Sequence, residues 1–398
     1  MKRVFFAWEL GSNLGHLSRD LPLARRCLEA GYEVVWAVPD LGGAQRTVGD
    51  EPFKLVQSPL LNAPKVPPRP PANYSDMLLN AGYGDPAVLR GAIRAWRSLL
   101  ELAGSDAMVF NHAPTALIAA RIHATPTLVT GTGFEVPPPV SPLPAFRPWS
   151  PASLATLTDL DERLLNAINT EFAESGVATL NNLGELTSSN CNTLTTFPEL
   201  DPFGPRVGAN YIGPLFSLQK ALPVHWTSAR GPRVFAYVRQ NLDGADALLM
   251  ALDALDAEVV CFMPGVTAEW CARFKRLRFF GDPVDIEKLL MSADLAITSG
   301  AGTIATALLA GVPALAVPQV LEQRLAAARL TDLGAGLSAG DRRTPSLFGA
   351  MLHQLLTRSE FKSSAAGFAA RHRDYTLTRA LQTQFDALQA VLGVSAEA

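Results

Sequence analysis

A turn of small residues at 298–303, with the sequence TSGAGT, has the composition of a phosphate-binding loop. It follows a short apolar run at 295–297, which predicts a buried strand, and it precedes a helical pattern at 304–310. Small residues let the backbone approach a ligand closely, and a helix N-terminus presents free N–H groups with a partial positive charge. We therefore expect a bound phosphate or pyrophosphate here; the alternative is a tight strand–helix turn that binds nothing.

His16 is a second candidate for chemistry, because imidazole changes its protonation near neutral pH. It follows a glycine-containing turn at 11–15 and comes just before an amphipathic helical pattern at 17–30. Strand patterns at 3–8 and 32–38 flank that helix, which predicts a βαβ unit and a parallel sheet covered by helices. A catalytic base is one interpretation of His16, and a helix N-terminal residue without a catalytic role is the other.

The polar pair Asn111–His112 follows another predicted strand, within a strand–turn–helix–strand pattern at 105–134. Asn111 and His112 either contribute to a site or merely cap the next helix. Further along the chain, we expect a strand at 314–317 and a helix that opens at Glu322–Gln323 and ends near Gly334. Other predicted helices are 86–103, 158–175 and 374–392, and other predicted strands are 234–238, 258–263 and 278–280.

The composition indicates a globular protein with two domains. The chain has 398 residues, 48% of them hydrophobic, and a formal net charge of −3, with no long basic block, so nucleic acid is not expected as a partner. Its apolar runs are strand-length, so we expect no transmembrane helix, and we interpret the N-terminus as a first strand rather than a signal peptide. Four cysteines without metal-site spacing predict reduced thiols in a cytoplasmic protein.

Residues 294–338 resemble the donor-binding signature of nucleotide-sugar glycosyltransferases of the GT-B fold, in particular the UDP-glycosyltransferase and antibiotic glycosyltransferase superfamily. The sequence around Gly15–His16 is similar to the N-terminal motif of the same family, and Tyr211–Leu215 is similar to the segment that links its two domains. The positions in 294–338 that match the signature are Gly300, Gly302, Thr303, Ala307, Leu308, Gly311, Val312, Pro313, Pro318, Gln323, Ala327, Gly334 and Gly336.

The resemblance implies an α/β protein with the GT-B fold, in which two Rossmann-like domains with parallel sheets face an interdomain cleft. We expect an N-terminal acceptor-binding domain at 1–218, a linker at 219–230 and a C-terminal nucleotide-sugar-binding domain at 231–374. The segment 375–398 is expected to form a helix that packs back toward the N-terminal domain.

The resemblance also implies a donor site, with several departures from the family pattern. Either Thr298 or Ser299 replaces the phosphate-binding histidine, Thr306 replaces the glutamate that holds the ribose, and Glu322–Gln323 replaces Asp-Gln at the sugar. A hydroxyl donates to phosphate but adds no charge, so donor affinity is expected to be weaker or the donor to differ from UDP-glucose. The expected donor-binding residues are Arg239, Pro283, Val284, Thr298, Ser299, Gly300, Ala301, Gly302, Thr303, Thr306, Glu322 and Gln323.

In the family, the histidine at position 16 is the general base that deprotonates the acceptor, and an aspartate often orients it. Asn111 stands at the place of that aspartate. An amide accepts a hydrogen bond from imidazole but cannot stabilise imidazolium as a carboxylate does. Therefore His16 is a weaker base, another carboxylate takes this role, or His112 joins the site.

Two proline-rich segments are candidates for the acceptor side. Residues 131–151 contain Phe134, Phe146 and Trp149, which either wall an apolar acceptor pocket or pack under a long loop. Residues 58–76 form either a loop over the cleft or a simple exposed connection. The aromatic side chains favour a small apolar or aromatic acceptor.

The expected function is an inverting, metal-independent glycosyltransferase whose co-substrate is a nucleotide-diphosphate sugar such as a UDP- or dTDP-sugar, with no further cofactor. Two alternatives remain open on the sequence. A GT-B-fold sugar-nucleotide epimerase or hydrolase would act on the nucleotide sugar without an acceptor. A non-catalytic auxiliary protein would bind the nucleotide weakly without turnover. The sequence does not indicate the oligomeric state.

Overall fold

The structure, a computed structural model, describes residues 1–11, 15–61, 70–188, 191–215, 221–227 and 231–393. The chain divides into two compact units, the first formed by Met1–Ser217 with Thr376–Ala398 and the second by Leu218–Tyr375. Parts of four predicted segments lie outside the described residues: 12–14 of the first turn, 62–69 of the proline-rich segment, 219–220 with 228–230 of the linker, and 394–398 of the C-terminal segment. No helix within the described ranges is long and apolar enough to cross a membrane.

The first unit contains a six-stranded sheet with the strand order β3-β2-β1-β4-β5-β6, and every neighbouring pair is parallel. The central strands are apolar almost throughout and buried, as expected for a parallel sheet with helices on both faces. Its strands are β1 Arg3–Trp8, β2 Glu33–Val38, β3 Lys54–Gln57, β4 Ala107–Asn111, β5 Thr127–Gly131 and β6 Asn192–Leu194. Its helices before the second unit are α1 Gly15–Glu29, α2 Leu41–Val48, α3 Tyr74–Leu78, α4 Pro86–Ala103, α5 Pro114–His123, α6 Leu154–Glu174 and α7 Gly184–Thr187.

The second unit repeats this architecture with the strand order β12-β11-β10-β7-β8-β9, again all parallel. Its strands are β7 Arg233–Tyr237, β8 Glu258–Phe262, β9 Leu277–Phe280, β10 Leu295–Thr298, β11 Ala314–Ala316 and β12 Gly336–Ser338. Its helices are α8 Ala245–Asp253, α9 Ala268–Arg273, α10 Ile286–Leu290, α11 Ala301–Leu309, α12 Leu321–Asp332, α13 Pro345–Thr357 and α14 Ser359–Arg371. The predicted α/β class with two parallel sheets is confirmed.

The last helix, α15 (Leu377–Val391), belongs to the first unit. Phe385 and Leu388 are buried in the core of that unit, and the Arg26 guanidinium of α1 lies over the Phe385 ring at 4.8 Å. The Nε2 atom of Gln384 donates to Oγ1 of Thr130 over 3.0 Å. The first unit therefore contains both the N-terminal and the C-terminal segments of the chain.

Helix boundaries follow their capping residues. Helix α4 coincides with the predicted range because Asp85 accepts from the Ala87 N–H and Pro86 occupies the first helical turn. Helix α6 starts four residues before the predicted 158, because the Ser153 hydroxyl accepts from the N–H of Thr156. Helix α11 starts at Ala301, three residues earlier than predicted, so the small residues form part of its first turn.

Candidate active site

The carboxyl ends of three adjacent strands, β1, β4 and β5, bring together the polar residues of the first unit. Parallel strands end at the same edge of a sheet, where α/β proteins bind ligands. His16 lies in the first turn of α1, after β1, while Asn111 ends β4 and Glu135 follows β5. The sequence predicts the first two as site residues and does not predict Glu135.

Asn111 fixes the orientation of the His16 ring. Its Oδ1 lies 2.8 Å from Nδ1 of His16 and also accepts from Nη2 of Arg19. Its Nδ2 donates to the His16 carbonyl over 3.0 Å and to Oδ2 of Asp20 over 2.6 Å. Because guanidinium only donates, the amide oxygen must face Arg19, and Nδ1 of His16 must therefore be the donor to Asn111. This tautomer leaves a lone pair on Nε2 of His16.

His16 is held in a nearly buried position, with 9% of its surface exposed. Its ring stacks on Trp8 at 5.3 Å and on His112 at 5.9 Å. Burial lowers the pKa of His16, and Arg19 lowers it further, against the opposing effects of Glu135 and Asn111. His16 is therefore held neutral near pH 7, the state in which a base accepts a proton.

The Nε2 atom of His16 faces the backbone of Gly11, at the start of the loop after β1. A Cβ atom added at Gly11 would stand 2.5 Å from that nitrogen, and Gly11 has a φ of +93°, which favours glycine. Any larger residue at this position would collide with the basic edge of the ring.

Glu135 is a buried carboxylate beside His16. Its Oε1 accepts from Nη1 of Arg19 over 2.9 Å and lies 3.7 Å from Nδ1 of His16. Its Oε2 accepts from the N–H and the hydroxyl of Thr132, over 2.5 and 2.9 Å. Burial alone would raise the pKa of Glu135, but Arg19, His16, His112 and the Thr132 N–H hold that pKa well below its usual range. Glu135 is thus a carboxylate next to His16 that does not come from position 111.

His112 packs between aromatic rings and does not cap a helix. Its backbone is left-handed, with a φ of +47°, and its ring centroid lies 6.1 Å from that of Tyr74 and 6.1 Å from that of Phe134. Burial lowers the pKa of His112 to about 3, so the ring is neutral, and its Nε2 has no hydrogen-bond partner among the described residues. The carboxylate at the N-terminus of α5 is instead Glu9, whose Oε2 accepts from the N–H of Thr115 over 2.9 Å.

The three aromatic residues expected on the acceptor side occupy different environments. Phe146 is completely buried and stacks on Phe134 at 5.2 Å and on Phe203 at 6.2 Å. Phe134 also contacts His112, whereas Trp149 is 53% exposed. The burial of Phe146 agrees with packing under a long loop, and of the three only Phe134 lies against a candidate site residue.

The turn at the N-terminus of α11 is open. Gly300 is the N-cap residue of α11, and its N–H donates to Oγ1 of Thr298 over 3.2 Å. Ser299 is half-buried. A Cβ at Gly300 or Gly302 would meet no atom within 4 Å. The N–H groups of the first turn, at 301–303, have no partner inside the helix. The hydroxyl of Thr306 donates to the Gly302 carbonyl over 3.0 Å, so its proton is used within α11.

Glu322 and Gln323 lie in the first turn of α12, beside the end of β11. Oε1 of Gln323 accepts from the N–H of Gln319 over 2.8 Å, and Oε1 of Gln319 accepts from the N–H of Asp243. The Arg343 guanidinium donates to carbonyls in three loops, those of residues 243, 318 and 340. These bonds join the loops that follow β7, β11 and β12 at one edge of the second sheet.

Three further predicted donor residues, Arg239, Pro283 and Val284, lie on loops of the second unit. Arg239 is exposed, just after β7. The Pro283 carbonyl accepts from the N–H of Leu222 over 2.7 Å, and the Asp285 N–H donates to the Leu222 carbonyl over 3.1 Å. In such a parallel bridge the intervening residue, Val284, directs its own N–H and carbonyl to the opposite side.

Known proteins match this chain in sequence and in fold. Residues 246–374 match the family described as "Erythromycin biosynthesis protein CIII-like, C-terminal domain". The PGL/p-HBAD biosynthesis glycosyltransferase of Mycobacterium tuberculosis is 25% identical over 390 residues, which cover 92% of this chain and 88% of that protein. The calicheamicin glycosyltransferase CalG4 superposes with a TM-score of 0.73 at 18% identity, covering 100% of this chain and 99% of CalG4. The chain has the GT-B fold and is similar in sequence to glycosyltransferases.

A second solved GT-B glycosyltransferase is similar over nearly the whole chain. VinC, whose structure contains dTDP, superposes with a TM-score of 0.71 at 18% identity and covers 98% of this chain and 99% of its own. The present protein is thus a glycosyltransferase with the GT-B fold. Within the described residues, no three His, Cys, Asp or Glu side chains are grouped as metal ligands.

Sequence reasoning missed Arg19, Asp20 and Glu135 as parts of one network with His16. A general signal was nevertheless present, because Glu135 follows the predicted strand at the end of the 105–134 pattern. Neighbouring parallel strands place the residues after their carboxyl ends side by side. The strand order β1-β4-β5 was needed to place Glu135 beside Asn111.

Proposed function

We propose that this glycosyltransferase inverts the anomeric configuration of a sugar that it transfers from a nucleotide-diphosphate donor to an acceptor hydroxyl, without a metal ion, and that His16 is the general base. The observation that supports this most strongly is the hydrogen bond from Nδ1 of His16 to Oδ1 of Asn111. It keeps the lone pair on Nε2, which a base needs, and burial keeps the ring neutral.

The proposed reaction is a single displacement. Nε2 of His16 takes the proton of the acceptor hydroxyl as its oxygen forms a bond to the anomeric carbon. The bond from that carbon to the diphosphate oxygen breaks on the opposite face, so the configuration inverts. The nucleoside diphosphate leaves with the bonding electron pair, and His16 later returns its proton to solvent.

The second unit supports donor binding through backbone groups rather than side-chain charge. The N–H groups at 301–303 and the dipole of α11 favour the negative charge that develops on the leaving diphosphate. Thr298 or Ser299 would add a hydroxyl, and Arg239 a positive charge. Glu322 and Gln323 would hold sugar hydroxyls.

A pyrimidine base is a suitable occupant beside Val284. Its N3–H and carbonyl oxygens complement the backbone carbonyl and N–H that Val284 directs away from Leu222. The dTDP in VinC makes dTDP- and UDP-sugars the first donors to test. For the acceptor, the rings of Phe134 and His112 beside the base favour a small apolar or aromatic alcohol or phenol.

We include a cytoplasmic location in the proposal, because none of the four cysteines forms a disulfide. This part of the proposal is tested by following a tagged copy of the full chain through cell fractionation.

The catalytic assignment is tested by incubating the protein with dTDP-glucose or UDP-glucose and a panel of simple phenols, with EDTA present. We expect a glycoside of inverted configuration by NMR, and a fall of about 100-fold or more in rate for His16→Ala. His353→Ala, an exposed histidine on α13, is the matched control and should behave as wild type. Equal rates for His16→Ala and wild type, or a retained configuration, would overturn the proposal. Free sugar formed without an acceptor would instead favour the hydrolase.

A further inference from the structure

We propose that Glu135 is the positioning residue that supplies the negative charge for the protonated state of His16, with Arg19 holding its carboxylate in place. The inference rests on the proposed role of His16 as base. Glu135, on the loop after β5, thereby performs the function that a carboxylate at position 111 would have, which is to stabilise the imidazolium form of His16.

The geometry separates two tasks that one carboxylate usually performs. Asn111, at 2.8 Å from Nδ1 of His16, sets the tautomer but has no charge. Glu135, at 3.7 Å from the same nitrogen, is too distant for a hydrogen bond but close enough for a strong Coulombic interaction. Together they orient the neutral ring and stabilise the imidazolium that forms during the reaction.

Arg19 explains why the carboxylate remains ionised in a buried position. Its two terminal nitrogens donate to Oε1 of Glu135 and to Oδ1 of Asn111, so one guanidinium fixes both oxygens that face His16. Arg19 thus contacts both Asn111 and Glu135, the two residues whose oxygens lie beside Nδ1 of His16.

The other ionisable groups around His16 do not take this role. Asp20, on the same helix, is fully buried and accepts from Asn111, and burial raises its pKa to about 7, so it is only partly charged at neutral pH. His112, after β4, is neutral because burial lowers its pKa. Glu135 is the one carboxylate that the structure places within 4 Å of the His16 ring nitrogens among the described residues.

The test compares pH profiles of kcat/KM for wild type, Glu135→Gln and Glu135→Asp, using UDP-glucose or dTDP-glucose and the phenol that gives the highest wild-type rate. Without the carboxylate, His16 is a weaker base with a lower pKa. For Glu135→Gln we therefore expect the plateau to fall about 10-fold or more and the acid limb to move about one pH unit lower. Glu135→Asp retains the charge and should keep the acid limb near its wild-type position.

Glu135→Gln leaves Arg19 buried without its ionic partner, so its fold is checked by circular dichroism. If it does not fold, the double variant Arg19→Met/Glu135→Gln removes both charges and is expected to show the same lowered plateau and a smaller shift of the acid limb in the same direction. Glu29→Gln, an exposed glutamate on α1, is the matched control.

The outcomes distinguish this inference from the proposed function. An inactive His16→Ala together with an unmoved acid limb in folded Glu135→Gln would overturn the role of Glu135 and leave the base assignment standing. A His16→Ala variant as active as wild type would overturn both. A lowered plateau with an unmoved limb means that Glu135 only maintains the structure, which also contradicts the inference.

Discussion

Nδ1 of His16 donates to Oδ1 of Asn111 over 2.8 Å. That oxygen also accepts from Arg19, and Nδ2 of the same amide donates to Asp20 and to the His16 carbonyl. The amide therefore cannot rotate without breaking several hydrogen bonds. A ring held in one tautomer by such a network presents the same nitrogen to every substrate.

Replacing Asn111 by leucine should therefore slow the reaction more than it weakens binding. Leucine has a similar volume but accepts no hydrogen bond, so the proton can shift to Nε2 of His16. We expect kcat to fall about 10- to 100-fold with a smaller change in KM. Initial rates test this, and circular dichroism confirms the fold. The exposed Asn181→Leu is the control; an unchanged kcat in Asn111→Leu would contradict the tautomer argument.

The open turn of α11 allows stability and donor binding to be separated at Gly302. Alanine there meets no protein atom within 4 Å and should raise the free energy of unfolding by about 0.4–1 kcal/mol, because alanine is less flexible than glycine in the unfolded chain. Its methyl group would occupy space that a diphosphate needs. We expect dTDP and UDP to raise the melting temperature of Gly302→Ala much less than that of wild type.

Gly349→Ala provides the matched comparison for Gly302→Ala. Gly349 lies inside α13, also with no atom within 4 Å of an added Cβ. It should show a similar gain in stability and a wild-type response to nucleotide. Nucleotide stabilisation of Gly302→Ala equal to that of Gly349→Ala would show that the diphosphate does not bind at this turn.

Glu9 makes stability depend on pH. Burial raises its pKa from 4.5 to about 7, so the folded state holds the proton more tightly than the unfolded state. Its stabilising contribution is present below pH 4.5 and is lost as the pH rises toward 7. Glu9→Gln stays neutral and keeps an acceptor for the Thr115 N–H. Relative to Glu9→Gln, wild type should lose roughly 2–3 kcal/mol of unfolding free energy between those pH values.

Urea unfolding at pH 5 and pH 8 measures that difference. The exposed Glu29→Gln serves as the control, and its stability should follow wild type at both pH values. Parallel pH profiles for Glu9→Gln and wild type would show that the pKa of Glu9 is the same in the folded and unfolded states, and would contradict this prediction.

Asp161 joins three segments of the first unit through one carboxylate. It accepts from Nδ2 of Asn73 at 2.9 Å, from the Ser75 hydroxyl at 2.6 Å and from the Leu143 N–H at 2.7 Å. Asp161→Ala leaves these buried donors unpaired, so we expect a loss of about 2–4 kcal/mol of unfolding free energy in urea denaturation. Asp159→Ala, on the exposed side of the same helix, should change it by less than about 0.5 kcal/mol. Similar losses in both variants would contradict this assignment.

The fold was largely predictable because parallel strands and their helices have strong local patterns. The strand of β1, the helix 86–103 and the helix of α15 lie at or within about three residues of the predicted ranges. The start of α6 was missed because one hydroxyl, that of Ser153, extends the helix beyond its amphipathic pattern.

The site was less predictable because its interactions are long-range. Position in the chain indicated His16 and Asn111, but the contact with Glu135 depends on the order of β1, β4 and β5 in the sheet. The aromatic segment shows the same difficulty: Phe146 and Trp149 are three residues apart, yet one is completely buried and the other is 53% exposed. Composition alone does not distinguish a pocket wall from a core residue.

The position of α15 in the first unit has a consequence for biosynthesis. During translation the N-terminal sheet and α1 emerge long before residues 377–391, so the apolar surface that receives Phe385 and Leu388 stays open until the ribosome has also translated the second unit. A nascent or truncated chain that ends before 376 would expose that surface to chaperones and proteases. The first unit therefore cannot complete its core before the second unit has been synthesised.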